Sequence, residues 1–205
     1  MMYQLACDYN SMHKDNPLSF GFNRGPYAVS RKCLFKRDLS GASLEYMEKF
    51  FDTYKDYRKF FTARIIAAHE FTGENNHFID PQVEKYLRNL DAKGHLDETI
   101  VWIYSDHGDH INFMMWNTES GYSELMNPPL FVMIPDHLDE KIGATLKYNE
   151  QKLLTHYEIF QSDIQYMKQT PAPKVLSTPS IFYDKVPTLR TCKTANVYED
   201  CKCFL

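Results

Sequence analysis

Apolar residues first recur at helical spacing at Leu44, Met47, Phe51 and Tyr54. Steps of three and four residues predict a helix, with Ser43 as its N-cap and Glu45 and Glu48 near its positive end. Phe60 to Ala68, centred on Ile65-Ile66, has the composition of a buried strand and stops at the polar pair His69-Glu70. Pro81 is expected to open a second helix, where its missing N–H is harmless. Val83, Tyr86, Leu87 and Leu90 form its stripe, and Gly94 suits the left-handed residue that ends it. Thr99 to Tyr104 is apolar and β-branched on both faces, as in a strand covered by helices. Ser105-Asp106-His107-Gly108 follows at once. After a polar loop, Leu130 to Ile134 reads as another strand, between Pro128-Pro129 and Pro135. Leu153, Tyr157, Phe160, Ile164 and Met167 predict a third helix.

Helices alternating with strands predict an α/β fold with a mostly parallel central sheet flanked by helices. Three regions follow: an irregular N-terminal segment over 1–42, the α/β layer over 43–170, and an irregular cysteine-containing tail over 171–205. Ligands of such sheets gather at the carboxyl ends of the strands. That rule assigns His69-Glu70 and Ser105 to His110 to one edge.

Composition narrows the classes. Among 205 residues, 43% are hydrophobic, with 14 Phe and 14 Tyr, too many for a disordered chain. Apolar runs are only a few residues long, so no transmembrane segment is expected. A net charge of −4 offers no field of one sign for nucleic acid or an anionic membrane. The N-terminus lacks the basic flank and apolar core of a signal peptide. Yet Cys192, Cys201 and Cys203 crowd the tail, and Cys7 and Cys33 make five. The odd count leaves at least one thiol without a partner in the chain. A disulfide-stapled tail is favoured over a metal cluster, because no histidine lies beside the Cys-x-Cys pair. A secreted-looking tail thus accompanies a chain without an export signal.

Asp106 and His107 are the strongest candidates for chemistry. A carboxylate oxygen and an imidazole nitrogen, adjacent where a strand ends, can turn toward one divalent cation, and Gly108 permits the bend. Oxygen and nitrogen donors suit Zn, Mn or Mg. A plain loop, with Asp106 capping a helix and His107 solvated, is the competing explanation of the dipeptide. The β-branched strand running into Ser-Asp-His-Gly favours the metal. His69 can serve as a substrate-contacting group or proton donor; a histidine closing a strand accounts for it equally well. Glu70, Asp109 and His110 are weaker extensions of the cluster, His77 and Asp80 fit the turn and cap before Pro81, and Glu119 and Glu124 are candidate outer-shell groups better explained as solvated loop acids. No Gly-rich phosphate loop, Gly-x-Ser-x-Gly elbow or activated thiol is present.

The run Lys93-Gly94-His95-Leu96-Asp97-Glu98-Thr99-Ile100-Val101, followed by Ile103-Tyr104-Ser105-Asp106-His107-Gly108, resembles the sulfatase-like part of the alkaline phosphatase superfamily. The resemblance extends toward a eukaryotic branch known as a domain of unknown function. It rests also on Ser43 to Glu70, on Pro129 to Pro135, and on Val186-Pro187-Thr188-Leu189-Arg190-Thr191-Cys192 through Cys203. It implies a partial alkaline-phosphatase-like sandwich and a metal-dependent hydrolase or transferase of phosphate or sulfate esters. Asp106 and His107 carry over as ligands of a divalent ion (Zn, Mn, Mg or Ca), and His69 as the substrate contact. A small-molecule, glycan or lipid ester as substrate and an extracellular or secretory-lumen location are implied as well.

Such enzymes attack through a Thr, Ser or modified Cys nucleophile set against the metal. No such nucleophile, and no strand ending in the first metal carboxylate, is found before Cys33. Glu158-Ile159-Phe160 also stands where relatives commonly carry Asp-Leu-His. The expectation is therefore a fragment lacking the nucleophile half, weak or inactive in isolation. The alternative is a non-catalytic remnant acting as a binding or structural domain.

Overall fold

A computed structural model of the chain describes residues 33–34, 37–65, 67–69, 75–111, 113–138, 140–168 and 178–197. The elements are β1 (Cys33–Leu34), β2 (Arg37–Asp38), α1 (Leu39–Thr53), α2 (Asn75–Ala92), a short 3-10 turn (Leu96–Glu98) and β3 (Val101–Tyr104). They continue with α3 (Phe113–Asn117), α4 (Glu119–Met126), β4 (Leu130–Met133), α5 (Glu140–Asn149) and α6 (His156–Lys168). Two compact units emerge. One holds the described residues through Glu98 with Asp109–Leu125; the other holds Thr99–Gly108 with those from Met126 onward.

In the first unit, Asp38 rather than Ser43 caps α1: its side chain accepts a hydrogen bond from the Gly41 N–H at 2.7 Å. Ser43 lies inside the helix, and its hydroxyl donates back to the Leu39 carbonyl at 2.8 Å. Leu44 and Phe51 from α1 meet Tyr86 and Leu90 from α2, with Met47, Val83 and Leu87 packed around them. Both stripes predicted from periodicity thus form this core, except that Tyr54 is exposed beyond the end of α1. The second helix starts at Asn75 and runs through Pro81, so the His77 carbonyl has no N–H to bond at that position. It ends as expected. Gly94 is left-handed, its N–H donates to Asp91 and the His95 N–H to Leu90, a Schellman closure.

The segment from Phe60 to Ala68 is not a strand among its described residues, and Phe60 is exposed. Apolar composition alone does not make a strand; a partner ladder does. The sheet expectation needs the same correction. β3 and β4 form a two-stranded antiparallel ribbon, with Val101 opposite Met133 and Tyr104 opposite Leu130. No parallel pairing occurs among the described residues. Mixed helix and strand content holds, but no strand is described leading into His69, so the single-edge argument loses one of the two strand ends it needed.

The second unit keeps its core under polar helix faces. On α6 the buried residues are Glu158, Ile159, Gln161 and Ser162, whereas Tyr157, Phe160 and Met167 of the predicted stripe are exposed. On α5, which periodicity did not reveal, Ile142, Thr145 and Asn149 are buried. These polar side chains hold the tail. Asn149 donates to the Ile181 and Asp184 carbonyls at 3.2 and 3.0 Å and accepts from the Val186 N–H at 2.9 Å. Ser162 accepts from the Ile181 N–H at 2.9 Å. Ile181, Phe182 and Val186 are thereby buried almost completely, Phe182 against Trp102 and Tyr166. The described part of the tail contains turns but no helix or strand, and these hydrogen bonds anchor it. Cys192 is disulfide-bonded; the side chains of Cys7, Cys33, Cys201 and Cys203 lie outside the described residues.

An ionic cluster spans α1 and the end of α2. Lys93 bridges Glu48 at 2.6 Å and Asp52 at 2.7 Å, and His95 meets Asp52 at 2.8 Å. Hydrogen bonds from Lys93 and then Asn89 hold the Glu48 carboxyl below its ordinary value; His95 and then Lys93 do so for Asp52. The same bonds, Asp52 first and then Glu48, push the Lys93 amine up. The carboxylates' contribution is present above their unfolded values, near about pH 4, and is lost as pH falls through the lower folded ones. Lysine's contribution is complete below its unfolded value of about 10.4 and is lost as pH rises through the higher folded one. In helix-monitored melts from pH 7 to pH 3, Lys93→Met is therefore expected to show a shallower acid loss than wild type. Equal acid slopes would contradict the assignment.

Candidate functional site

β3 delivers the candidate ligands. Its last residue, Tyr104, is paired with Leu130, and the Ser105 N–H still reaches the Pro129 carbonyl at 3.4 Å. The chain then bends through Asp106, His107 and Gly108. Inside the bend the Ser105 hydroxyl donates to the His107 carbonyl at 2.6 Å, and the His107 N–H donates to Asp106 Oδ1 at 3.2 Å. Two adjacent residues of a strand point to opposite faces; a bend is what lets their side chains converge. Asp106 Oδ2 lies 3.9 Å from His107 Nε2, with the side chains 56% and 43% exposed.

The ring of His107 has a defined role for each nitrogen. Nδ1 lies 2.6 Å from the Gly108 carbonyl, and a carbonyl only accepts, so Nδ1 is the donor. In the neutral imidazole Nε2 then carries the lone pair, on the side of Asp106. A metal-binding histidine uses this arrangement: the far N–H is held by a backbone carbonyl while the near nitrogen serves the ion. The separation of 3.9 Å is within the span that two donors at about 2.0–2.1 Å from one small ion can bridge. An oxygen and a nitrogen donor are the chemistry a divalent cation takes, and a tetrahedral angle about one small ion requires the pair to close from 3.9 Å to about 3.3–3.4 Å. Among the described residues, no group of three or more His, Cys, Asp or Glu side chains gathers around a point where an ion would sit.

His156 is the residue that sequence reasoning missed. It is the first residue of α6, and its Nε2 lies 2.8 Å from the Ser105 carbonyl, with the ring 5.9 Å from that of Tyr104. Its placement follows from a capping box. Thr155 accepts from the Tyr157 N–H, while Glu158 reaches back to accept from the Thr155 N–H at 2.6 Å and its hydroxyl at 2.7 Å. Arg190 completes the arrangement, donating to Glu158 Oε1 at 2.7 Å and to the Leu153 carbonyl at 2.8 Å. The Thr-x-x-Glu spacing before an apolar run was the available signal.

The remaining candidates lie in the other unit. His69 follows the turn after the irregular segment, and its ring packs edge-on against His110 at 5.0 Å between centroids. The Asp109 carboxylate accepts from the Ile111 N–H at 2.9 Å, an ordinary loop bond. Glu119 and Glu124 belong to α4, exposed, rather than to a loop. His77 and Asp80 lie within α2. Glu70 lies outside the described residues.

With this geometry in place, comparison with known families gives one result. The chain belongs to the DUF229 family, described as proteins of unknown function, whose model matches residues 23–204. No curated protein and no solved structure matches it.

The bend predicts a measurable protonation pattern. In long-range 1H–15N spectra the neutral form of the His107 ring is expected to carry its proton on Nδ1. A proton on Nε2 would contradict the proposed donor geometry.

Proposed function

We propose that the chain is the metal-holding part of a sulfatase-like hydrolase or transferase of phosphate or sulfate esters, with Asp106 and His107 as ligands of a divalent cation. The observation that carries this reading is the 3.9 Å approach of Asp106 Oδ2 and His107 Nε2 on an exposed bend directly after β3. Support comes also from membership of DUF229 over nearly the whole chain and from the likeness of the Lys93 to Gly108 run to sulfatase-like proteins. On this reading the helices and ribbons belong to an alkaline-phosphatase-like sandwich.

The chain's own contribution is positional. Asp106 brings a negative oxygen, His107 a neutral nitrogen, and Gly108 leaves room for a ligand because it has no side chain. A cation bound there supplies positive charge against the non-bridging oxygens of an ester. His69 is proposed, on the family resemblance alone, as a substrate-contacting residue. A small-molecule, glycan or lipid substrate and an extracellular or secretory-lumen setting belong to the same proposal.

Calorimetric titration of the purified chain with Zn, Mn, Mg and Ca chlorides tests it. Saturable binding of at least one ion is expected. Asp106→Asn and His107→Ala should each weaken it by at least about tenfold, the lower end of what loss of an outer-shell partner costs. No binding, or binding unchanged in both variants, would remove the site. Aryl phosphate and aryl sulfate assays with the bound ion then separate an enzyme from a non-catalytic remnant.

A further inference from the structure

We propose that His156 is a positioning residue for the Ser105–Gly108 bend, fixing the direction in which the chain leaves β3 and hence where Asp106 and His107 stand. In calling that bend a metal site, the inference rests on the function proposed above; the positioning itself does not.

A carbonyl cannot donate, so the 2.8 Å contact between His156 Nε2 and the Ser105 oxygen is an N–H donated by the imidazole. The contact joins residues 51 positions apart, tying the start of α6 to the end of β3. It falls on the peptide that links Ser105 to Asp106. Rotation of this peptide swings the Asp106 side chain, because a backbone carbonyl and the following residue move as one plane. The ribbon holds the amino side of Ser105 through Pro129, and His156 holds its carboxyl side.

The imidazole is itself held in place. His156 sits between Thr155 and Glu158 of the capping box, and Glu158 is fully buried against Arg190. Its ring lies beside Tyr104, the last residue of β3. Thus a buried ion pair fixes the helix start, and one hydrogen bond transmits that position to the bend. Hydrogen bonds made directly to a metal ligand typically alter affinity by about 10–100-fold; this bond acts one peptide away, so the lower end of that range is expected.

The test compares His156→Phe, which removes the donor and keeps a ring, with His156→Gln, whose amide nitrogen reaches about as far as Nε2. Amide NMR spectra of the metal-free chain and Mn2+ affinity are both read. The expected result is that His156→Phe shifts the Ser105–Gly108 amides, leaves those of α5 and the tail turns in place, and binds Mn2+ about tenfold more weakly. His156→Gln restores both readouts. Unshifted Ser105–Gly108 amides in His156→Phe overturn the inference, as do changes spread across α5 and the tail in both variants. Shifted amides with unchanged Mn2+ affinity overturn it too. If wild type takes no Mn2+ while the amides respond as expected, the metal reading fails and the positioning role stands.

Discussion

The Glu158–Arg190 pair is the interaction on which the second unit depends. Glu158 is completely buried and Arg190 nearly so, at 0% and 8% side-chain exposure. Two charges at that depth carry a large desolvation cost, offset only when their hydrogen-bonding capacity is filled. Here it is largely filled. The carboxylate accepts from Arg190, from the Thr155 N–H and from the Thr155 hydroxyl; the guanidinium also serves the Leu153 carbonyl. One pair therefore does two jobs at once: it closes the amino end of α6 and pins the tail at Arg190.

From that point the structure builds outward through polar contacts rather than through a continuous apolar stripe. Ser162, one turn along α6, takes the Ile181 N–H. Asn149 of α5 accepts from Val186 and donates to Ile181 and Asp184. An irregular tail has no ladder of its own to satisfy its backbone, so buried side chains must do it. In return Ile181, Phe182 and Val186 are buried, Phe182 against Trp102 and Tyr166. The same helix start presents His156 to the Ser105 carbonyl, which links tail anchoring to the proposed site.

This chemistry explains which parts were legible in the sequence. In the first unit the buried faces of α1 and α2 are apolar, and Leu44, Phe51, Tyr86 and Leu90 reveal both helices by spacing alone. In the second unit the rule inverts. Glu158, Gln161, Ser162, Thr145 and Asn149 face inward, and the apolar residues Tyr157, Phe160 and Met167 face out. Periodicity located α6 but read its exposed face as its core, and it passed over α5. The Ser-Asp-His-Gly bend was visible because it is contiguous. His156 was not, because its relevance to residue 105 is a matter of three-dimensional proximity. The parallel sheet was inferred from helices alternating with strands and from a strand apolar on both faces, and neither fixes the direction of a partner strand.

A double-mutant cycle in urea on Glu158→Gln and Arg190→Met addresses the buried pair directly. The amide introduced by Glu158→Gln keeps an oxygen for capping, so this single variant isolates the charge. Each single substitution is predicted to cost about 3–5 kcal/mol, and the double variant less than their sum, because neither charge is then left buried alone. Single variants within about 0.5 kcal/mol of wild type, or strictly additive losses, would show that the pair does not hold the unit together.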